Sequence, residues 1–283
     1  MRAAQSLRML CVAAAPALGL GLAFAQQPPV QTTQSVRFDL RHPMMVLLDR
    51  ITIALAPELA AAPKADNAGE KLAQQRLHDG LTPELLQGFR LFLYVNKAAR
   101  GELAQRMYVF TKADDGSLHL LHDWAASTGR ERIEKNAAGR ILPTFTSAGY
   151  YQLDRHRFYR NYRSAEWGEP MPHAMFFNRV EHGSKTGLAI HAANGKEIAA
   201  LGTRSSAGCI RLAPENAEKL FELIRANYKG AVPRFAFDAK TKTMADNGML
   251  MHDAQGQLSV ADGYQVLVLI EDGAGERSVA ALL

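Results

Sequence analysis

The chain is expected to fold as a mainly β domain with a few helices and a short helical N-terminal region. Three observations carry this expectation. From Arg90 onward, short apolar or alternating runs follow one another, each bounded by turn-forming residues. Asp114-Asp115-Gly116 sits between two of these runs as a hairpin turn. A single strongly amphipathic helical pattern, over 214–228, interrupts the series, with a proline at its start and Ala217, Leu220, Phe221 and Ile224 on one face.

Residues 1–25 stand apart. Arg2 and Arg8 precede an apolar run that ends in Ala23-Phe24-Ala25, the charged start, apolar middle and small-residue end of a secretory signal cleaved after Ala25. A membrane anchor is the alternative, but the run is shorter than the ~20 apolar residues a span requires. Residues 26–89 read as a linker and helical prelude. Within them 26–35 is polar, 44–55 has the pattern of a short helix, 60–69 is a linker, and Thr82-Pro83-Glu84 caps a helix starting at Pro83. Residues 90–237 form the expected main domain. Its strands are expected at 91–95, 106–110, 118–126, 140–153, 175–180 and 187–191, with a closing strand at 233–237. Residues 238–283 are expected as a C-terminal β extension with turns at Asn247-Gly248 and Gln255-Gly256 and a last strand over 264–270.

Charge and cysteine usage narrow the function. The formal charge of +5 includes Arg2 and Arg8, so the chain without its signal carries +3 (5 − 2), a mild excess compatible with a polyanionic envelope or a carboxylate-bearing substrate. No basic run interleaved with aromatics points to nucleic acid. Of the two cysteines, Cys11 lies in the signal and only Cys209 remains. An exported chain with one thiol has no internal disulfide, so Cys209 is either a packed residue or a reactive one. His173, His182, His191 and Cys209 have no metal-ligand spacing, and no metal or cofactor is expected.

The chemistry concentrates in residues 187–212. His191 ends a strand and Cys209 follows 18 residues later, after a glycine-containing turn and immediately before Ile210-Arg211-Leu212. A thiol becomes a useful nucleophile only as thiolate, and a neighbouring imidazole can take its proton. The histidine's far nitrogen then needs an acceptor, and the carbonyl of Ala192 is the nearest. Gly208 permits close approach of substrate, and the backbone N–H groups around Gly208 and Cys209 could stabilise an oxyanion. Ser205 and Ser206 could equally be turn residues, and Arg211 either a substrate-carboxylate ligand or a structural partner of the loop. The reaction class is acyl transfer through a thioester.

Ile190-His191, Leu201-Gly202 and Ser206-Ala207-Gly208-Cys209-Ile210-Arg211-Leu212 together resemble the active-site motif of the L,D-transpeptidase (YkuD-type) catalytic domain. Ser127-Thr128-Gly129, Met171-Pro172 and Met175-Phe176-Phe177 resemble further pieces of that family in the right order. The resemblance covers roughly 90–235. It implies a β-sandwich catalytic domain with Cys209 as acylated nucleophile, His191 as general base and the Ala192 carbonyl orienting it. It also implies a peptidoglycan stem peptide as acyl donor, an amine acceptor and acylation of Cys209 by carbapenems. Gly208, Ser206, Arg211 and His173 are the residues expected to bind substrate. Two departures stand out. Ala207 occupies the position usually held by a histidine, and the family's T-P-x-G segment is present only as Leu142-Pro143-Thr144 and Ser147-Ala148-Gly149. The expectation is therefore an exported cysteine acyltransferase of the periplasm or cell envelope, with no stable membrane span after signal cleavage. A hydrolase of the same fold (L,D-carboxypeptidase or amidase) and a non-catalytic wall-binding module are the alternatives.

Overall fold

The computed structural model describes residues 68–273. The expected signal segment, the helix over 44–55 and most of the 60–69 linker lie outside the described residues. Two helices come first, α1 (Ala68–Gly80) and α2 (Pro83–Gly88). Helix α2 starts where its sequence requires: Pro83 occupies the first turn, where no N–H is needed, and Thr82 Oγ1 accepts from the Leu85 N–H at 3.2 Å. Among the described residues no helix is long and apolar enough to cross a membrane.

Eight strands build the main sheet: β1 (Leu91–Asn96), β2 (Arg106–Lys112), β3 (Leu118–Ala125), β4 (Gly149–Tyr159), β5 (Ala174–Phe177), β6 (Ala189–Ala192), β7 (Ile210–Leu212) and β8 (Val266–Glu271). Their order is β7-β6-β5-β4-β8-β1-β2-β3. The β2–β3 hairpin turns at the expected Asp114-Asp115-Gly116, with the Gly116 N–H donating to the Ala113 carbonyl at 3.0 Å. Helix α3 (Pro214–Asn227) follows β7 and matches the amphipathic pattern.

Strand β4 is the hinge of the architecture. Its first half pairs with β8 and its end pairs with β5, with a register shift between Leu153 and Phe158. Such an irregularity bends a strand and sharpens its twist. The two parts of the sheet therefore close over a shared core: Leu93, Val109 and Val268 from one part meet Phe177, Ile190 and Ile210 from the other, with Leu220 and Phe221 of α3 among them. This is the expected sandwich. A second cluster, built on Phe92, Tyr94, Phe110 and Leu267, is covered by Leu77 of α1 and Leu85 of α2. Strands β1 and β8, parallel and buried on both faces, have the near-continuous apolar sequences that such strands need.

Three segments differ from the sequence expectation. The last strand is a central one: β8 lies between β4 and β1, whereas the sequence placed it in an extension. The stretch over 140–153 splits into a short ribbon strand, Ile141–Pro143, and the start of β4, which runs on to Tyr159 through a charged segment with no apolar alternation. The closing strand expected at 233–237 is displaced upstream to Lys229–Pro233, which pairs with Val260–Tyr264, because Pro233 can end a ladder but not continue it.

Candidate active site

Strands β6 and β7 run parallel, with Ile190 opposite Ile210, His191 opposite Arg211 and Ala192 opposite Leu212. Alternation sends Ile190, Ile210 and Leu212 into the core and leaves His191, Arg211 and Cys209 on the other face. All three line one cleft of about 650 Å³, together with Gly187, Ala207 and Gly208. The sequence-derived pair is thus brought to a common surface by sheet register.

The imidazole of His191 is held by the next residue's main chain. Its Nδ1 meets the Ala192 carbonyl oxygen at 2.8 Å, the acceptor expected from the sequence. A carbonyl only accepts, so Nδ1 carries the proton in this pair and Nε2 is left as the basic nitrogen. The strand beneath is pinned by the Ala192 N–H, which donates to the Pro172 carbonyl at 2.9 Å. That bond is the structural task of the Met171-Pro172 segment. Burial lowers the His191 pKa to about 4, with the Arg211 charge acting in the same direction and the Ala192 bond opposing it. The imidazole is therefore neutral at pH 7.

Cys209 is half-buried, packed beside Met171, Ala174, Phe176 and Ala189. Its thiol points at the Gly187 carbonyl, 3.5 Å away, as a weak donor. Burial pushes the thiol up to about 11, against the lowering influence of an Ala189 backbone bond and of Arg211, while Glu197 raises it. The resting site holds a neutral thiol and a neutral imidazole.

The loop before Cys209 is tied down on both sides of Ala207. Gly208 has φ +120°, a conformation side chains rarely adopt, and an added Cβ would stand 3.0 Å from the Phe145 carbonyl oxygen. Thr146 Oγ1 donates to the Gly208 carbonyl at 2.6 Å and accepts the Gly129 N–H at 2.8 Å. Gly129 is glycine for space alone: a Cβ there would fall 2.1 Å from the Thr144 carbonyl oxygen. Ser206 is fully buried, with its hydroxyl donating to the Cys209 carbonyl at 2.5 Å and accepting the Gly208 N–H at 3.0 Å. The Gly208 N–H is thereby committed inside the loop, and Ser206 braces the loop without lining the cleft.

The remaining sequence candidates separate cleanly. Arg211 is an ion-pair partner of Glu197, 2.6 Å away, with both side chains mostly buried. One Glu197 oxygen makes that pair and the other accepts the Asn194 N–H at 3.0 Å, so the short 3-10 helix Gly195–Ala200 is locked to β7. Arg211 still faces the cleft, and its Nε is buried without a partner. His173 does not join the cleft. Its ring packs against Phe221 of α3, with centroids 5.4 Å apart, because its φ of +53° turns the side chain toward the helix.

Sequence reading missed several contributors. Thr186 lines the cleft with a buried Oγ1 that has no partner. Tyr162, Trp167 and Phe176 form its aromatic wall, and Arg157 is stacked 4.6 Å over Phe176 while donating to the Phe177 and Thr186 carbonyls. The aromatic and arginine density over 155–163 is the signal that could have found this wall. Thr146 and Glu197 had no local signal for their partners.

A family model described as the L,D-transpeptidase catalytic domain, YkuD, matches residues 92–248. No curated protein gives a significant match. Solved structures similar to the chain include LdtMt1 in complex with imipenem, at 14% identity and TM-score 0.36 over 65% of this chain and 60% of that one. An L,D-transpeptidase from Mycobacterium tuberculosis is 17% identical, with TM-score 0.33 over 65% and 59% of the two chains. The helical cell shape determining protein Pgp2 from Campylobacter jejuni is 15% identical, with TM-score 0.34 over 74% and 56%. The chain thus spans less than two thirds of the length of each of these proteins.

Proposed function

The chain belongs to the YkuD family of L,D-transpeptidase catalytic domains, and from that premise we propose that it is an exported cysteine acyltransferase acting on peptidoglycan stem peptides. The observation that carries the reading is the His191 Nδ1 to Ala192 carbonyl contact of 2.8 Å, in a cleft that also holds Cys209. It fixes the tautomer whose free Nε2 can accept a thiol proton.

The chemistry runs from that neutral pair. His191 Nε2 takes the Cys209 proton as sulfur attacks the donor carbonyl, forming the C–S bond and placing negative charge on the carbonyl oxygen. Because the Gly208 N–H is held by Ser206, the Cys209 N–H is the loop donor assigned to that oxygen. Collapse expels the terminal D-residue, whose amine nitrogen takes the proton from His191, leaving a thioester on Cys209. An acceptor amine then loses a proton to His191 and attacks the thioester, and the thiol is regenerated with its proton. The buried Arg211 Nε and Thr186 Oγ1, unpartnered in the cleft, are assigned to polar groups of the donor peptide, which would satisfy them.

A second reading keeps the donor half-reaction and replaces the amine with water, giving an L,D-carboxypeptidase or amidase. Ala207 favours it, since the small side chain beside Cys209 leaves that side of the thioester open. Intact mass of the protein incubated with a disaccharide-tetrapeptide, with and without an added amine, separates the readings. An adduct on Cys209 that passes to the amine establishes transfer. Loss of the terminal residue with hydrolysed product alone establishes the hydrolase, and neither adduct nor product refutes both.

A further inference from the structure

Strand β4 feeds two pockets. Arg157 points into the Cys209 cleft, whereas Phe158, the next residue, lines a second concavity of about 630 Å³ that shares no lining residue with the first. The second pocket is cationic. Arg155, Arg160, Arg225 and Lys229 line it beside His156, against the single lining carboxylate of Asp262.

The balance of partners matters more than the count. Arg155 reaches Asp262 at 3.0 Å and Arg160 reaches Glu222 at 2.7 Å, both as exposed pairs of the kind that solvent weakens. Arg225 and Lys229 have no carboxylate within 4.0 Å among the described residues. Both are exposed, and Arg225 lies over the Phe221 ring at 5.2 Å, on the same ring that Arg160 covers at 5.7 Å. Of the two guanidiniums on that ring, Arg160 holds Glu222 and Arg225 has no carboxylate of its own.

The floor beneath is aromatic. Phe158 packs against Tyr264 at 4.4 Å and Phe221 at 5.5 Å. On the far side the antiparallel pair Gly230 and Gly263 lines the pocket, and their Cβ positions face the side chains of Gln265 and Val232. The concavity itself comes from the register shift in β4 between Leu153 and Phe158, which turns Arg155 and His156 outward.

We propose that this pocket is a binding site, separate from the thiol cleft, for a phosphate-bearing group, with guanidiniums at its rim and an aromatic floor under the group's apolar or ring portion. Guanidinium geometry matches phosphate oxygens two at a time, and the uncompensated cations suit an anion of more than one charge. The phosphate could belong to a lipid headgroup or to a soluble phosphorylated molecule.

The test is calorimetric titration of the full-length protein with inorganic pyrophosphate, run beside sedimentation with vesicles of phosphatidylglycerol or of phosphatidylcholine alone. Saturable pyrophosphate binding is expected, weakened by about 100-fold in Arg225→Gln/Lys229→Gln at roughly tenfold per charged contact. Pyrophosphate binding accompanied by capture on phosphatidylglycerol vesicles, both lost in the variant, assigns a headgroup. Pyrophosphate binding without vesicle capture assigns a soluble ligand. Absence of saturable pyrophosphate binding, or binding undiminished in the variant, overturns the site whatever the vesicles do. Should the double variant melt early, Arg155→Gln, an exposed change on a different strand, carries the same comparison.

Discussion

Thr146 and Gly208, 62 residues apart in sequence, are joined by a hydroxyl-to-carbonyl hydrogen bond of 2.6 Å at the peptide unit preceding Cys209. The same hydroxyl accepts from Gly129, so one side chain ties the segment that follows β3 to the loop that presents Cys209. Both partners are backbone groups in buried surroundings, and neither has an alternative once the hydroxyl is gone.

Thr146→Val keeps the shape and removes the hydroxyl. It is expected to lower unfolding free energy by about 2 kcal/mol, the cost of leaving buried polar groups unmade. Loosening the nucleophile loop should also lower the acylation rate by roughly 10- to 100-fold. Chemical denaturation and stopped-flow acylation read the two effects. Unchanged acylation in a destabilised variant would show that the loop is positioned by other contacts.

Cys209→Ser is expected to abolish both turnover and mass gain on exposure to imipenem, because an alkoxide is far harder to generate than a thiolate at neutral pH. His191→Ala should leave the thiol present but slow its acylation by roughly 10²- to 10⁴-fold, the usual range for a positioned base. A mass adduct in the Cys209→Ser protein removes the nucleophile assignment.

The resting pair should also declare itself by pH. With the thiol held up at about 11 and the imidazole down at about 4, alkylation of the free enzyme by iodoacetamide should keep rising beyond pH 9. A rate already level at pH 7 would reveal a preformed thiolate–imidazolium pair and contradict the neutral dyad.

The same depressed imidazole predicts an acid limb in stability. Unfolded His191 binds its proton below about 6.5, while the folded ring resists until about 4. The unfolded state therefore gains more protons as pH falls through that window, and stability contributed by neutral His191 is lost there, by about 3 kcal/mol in full. His122, also lowered to about 4 by burial and then by Lys219, adds a second contribution of the same sign. Equilibrium denaturation of His191→Asn should show a shallower slope between those pH values than the parent. Identical slopes would place the titration elsewhere.

Glu197→Ala leaves the guanidinium of Arg211 buried and unpaired. Breaking such a pair from one side is expected to cost about 3 kcal/mol. Differential scanning calorimetry should register a fall in Tm of several degrees, larger than that of Glu197→Gln, which retains an acceptor oxygen for the guanidinium.

Local chemistry accounts for what the sequence made legible. The hairpin at Gly116, the cap at Thr82 and the apolar stripe of α3 are short-range signals, and each lies where the sequence places it. That His191 and Cys209 share a cleft follows the motif the sequence displays, and the Ala192 carbonyl meets the imidazole because it is next in chain. Long-range pairing was not legible. Nothing near Glu197 names Arg211, and nothing near Thr146 names Gly208. His173 shows the opposite failure: its residue type suits a site, but a left-handed backbone turns it to Phe221. The final strand was recognised as a strand, yet its place at the centre of the sheet depends on partners nearly the whole domain away.

That placement makes the sheet depend on both ends of the domain. Strand β1 is among the first parts of the domain to be synthesised, and its parallel neighbour β8 among the last. A chain that ends between Arg211 and Val266 holds every lining residue of the thiol cleft but has a gap where β8 belongs. Closing so large a loop is entropically costly and kinetically slow. A product truncated before Val266 is therefore expected to leave the cleft unassembled, although it contains every residue that lines it.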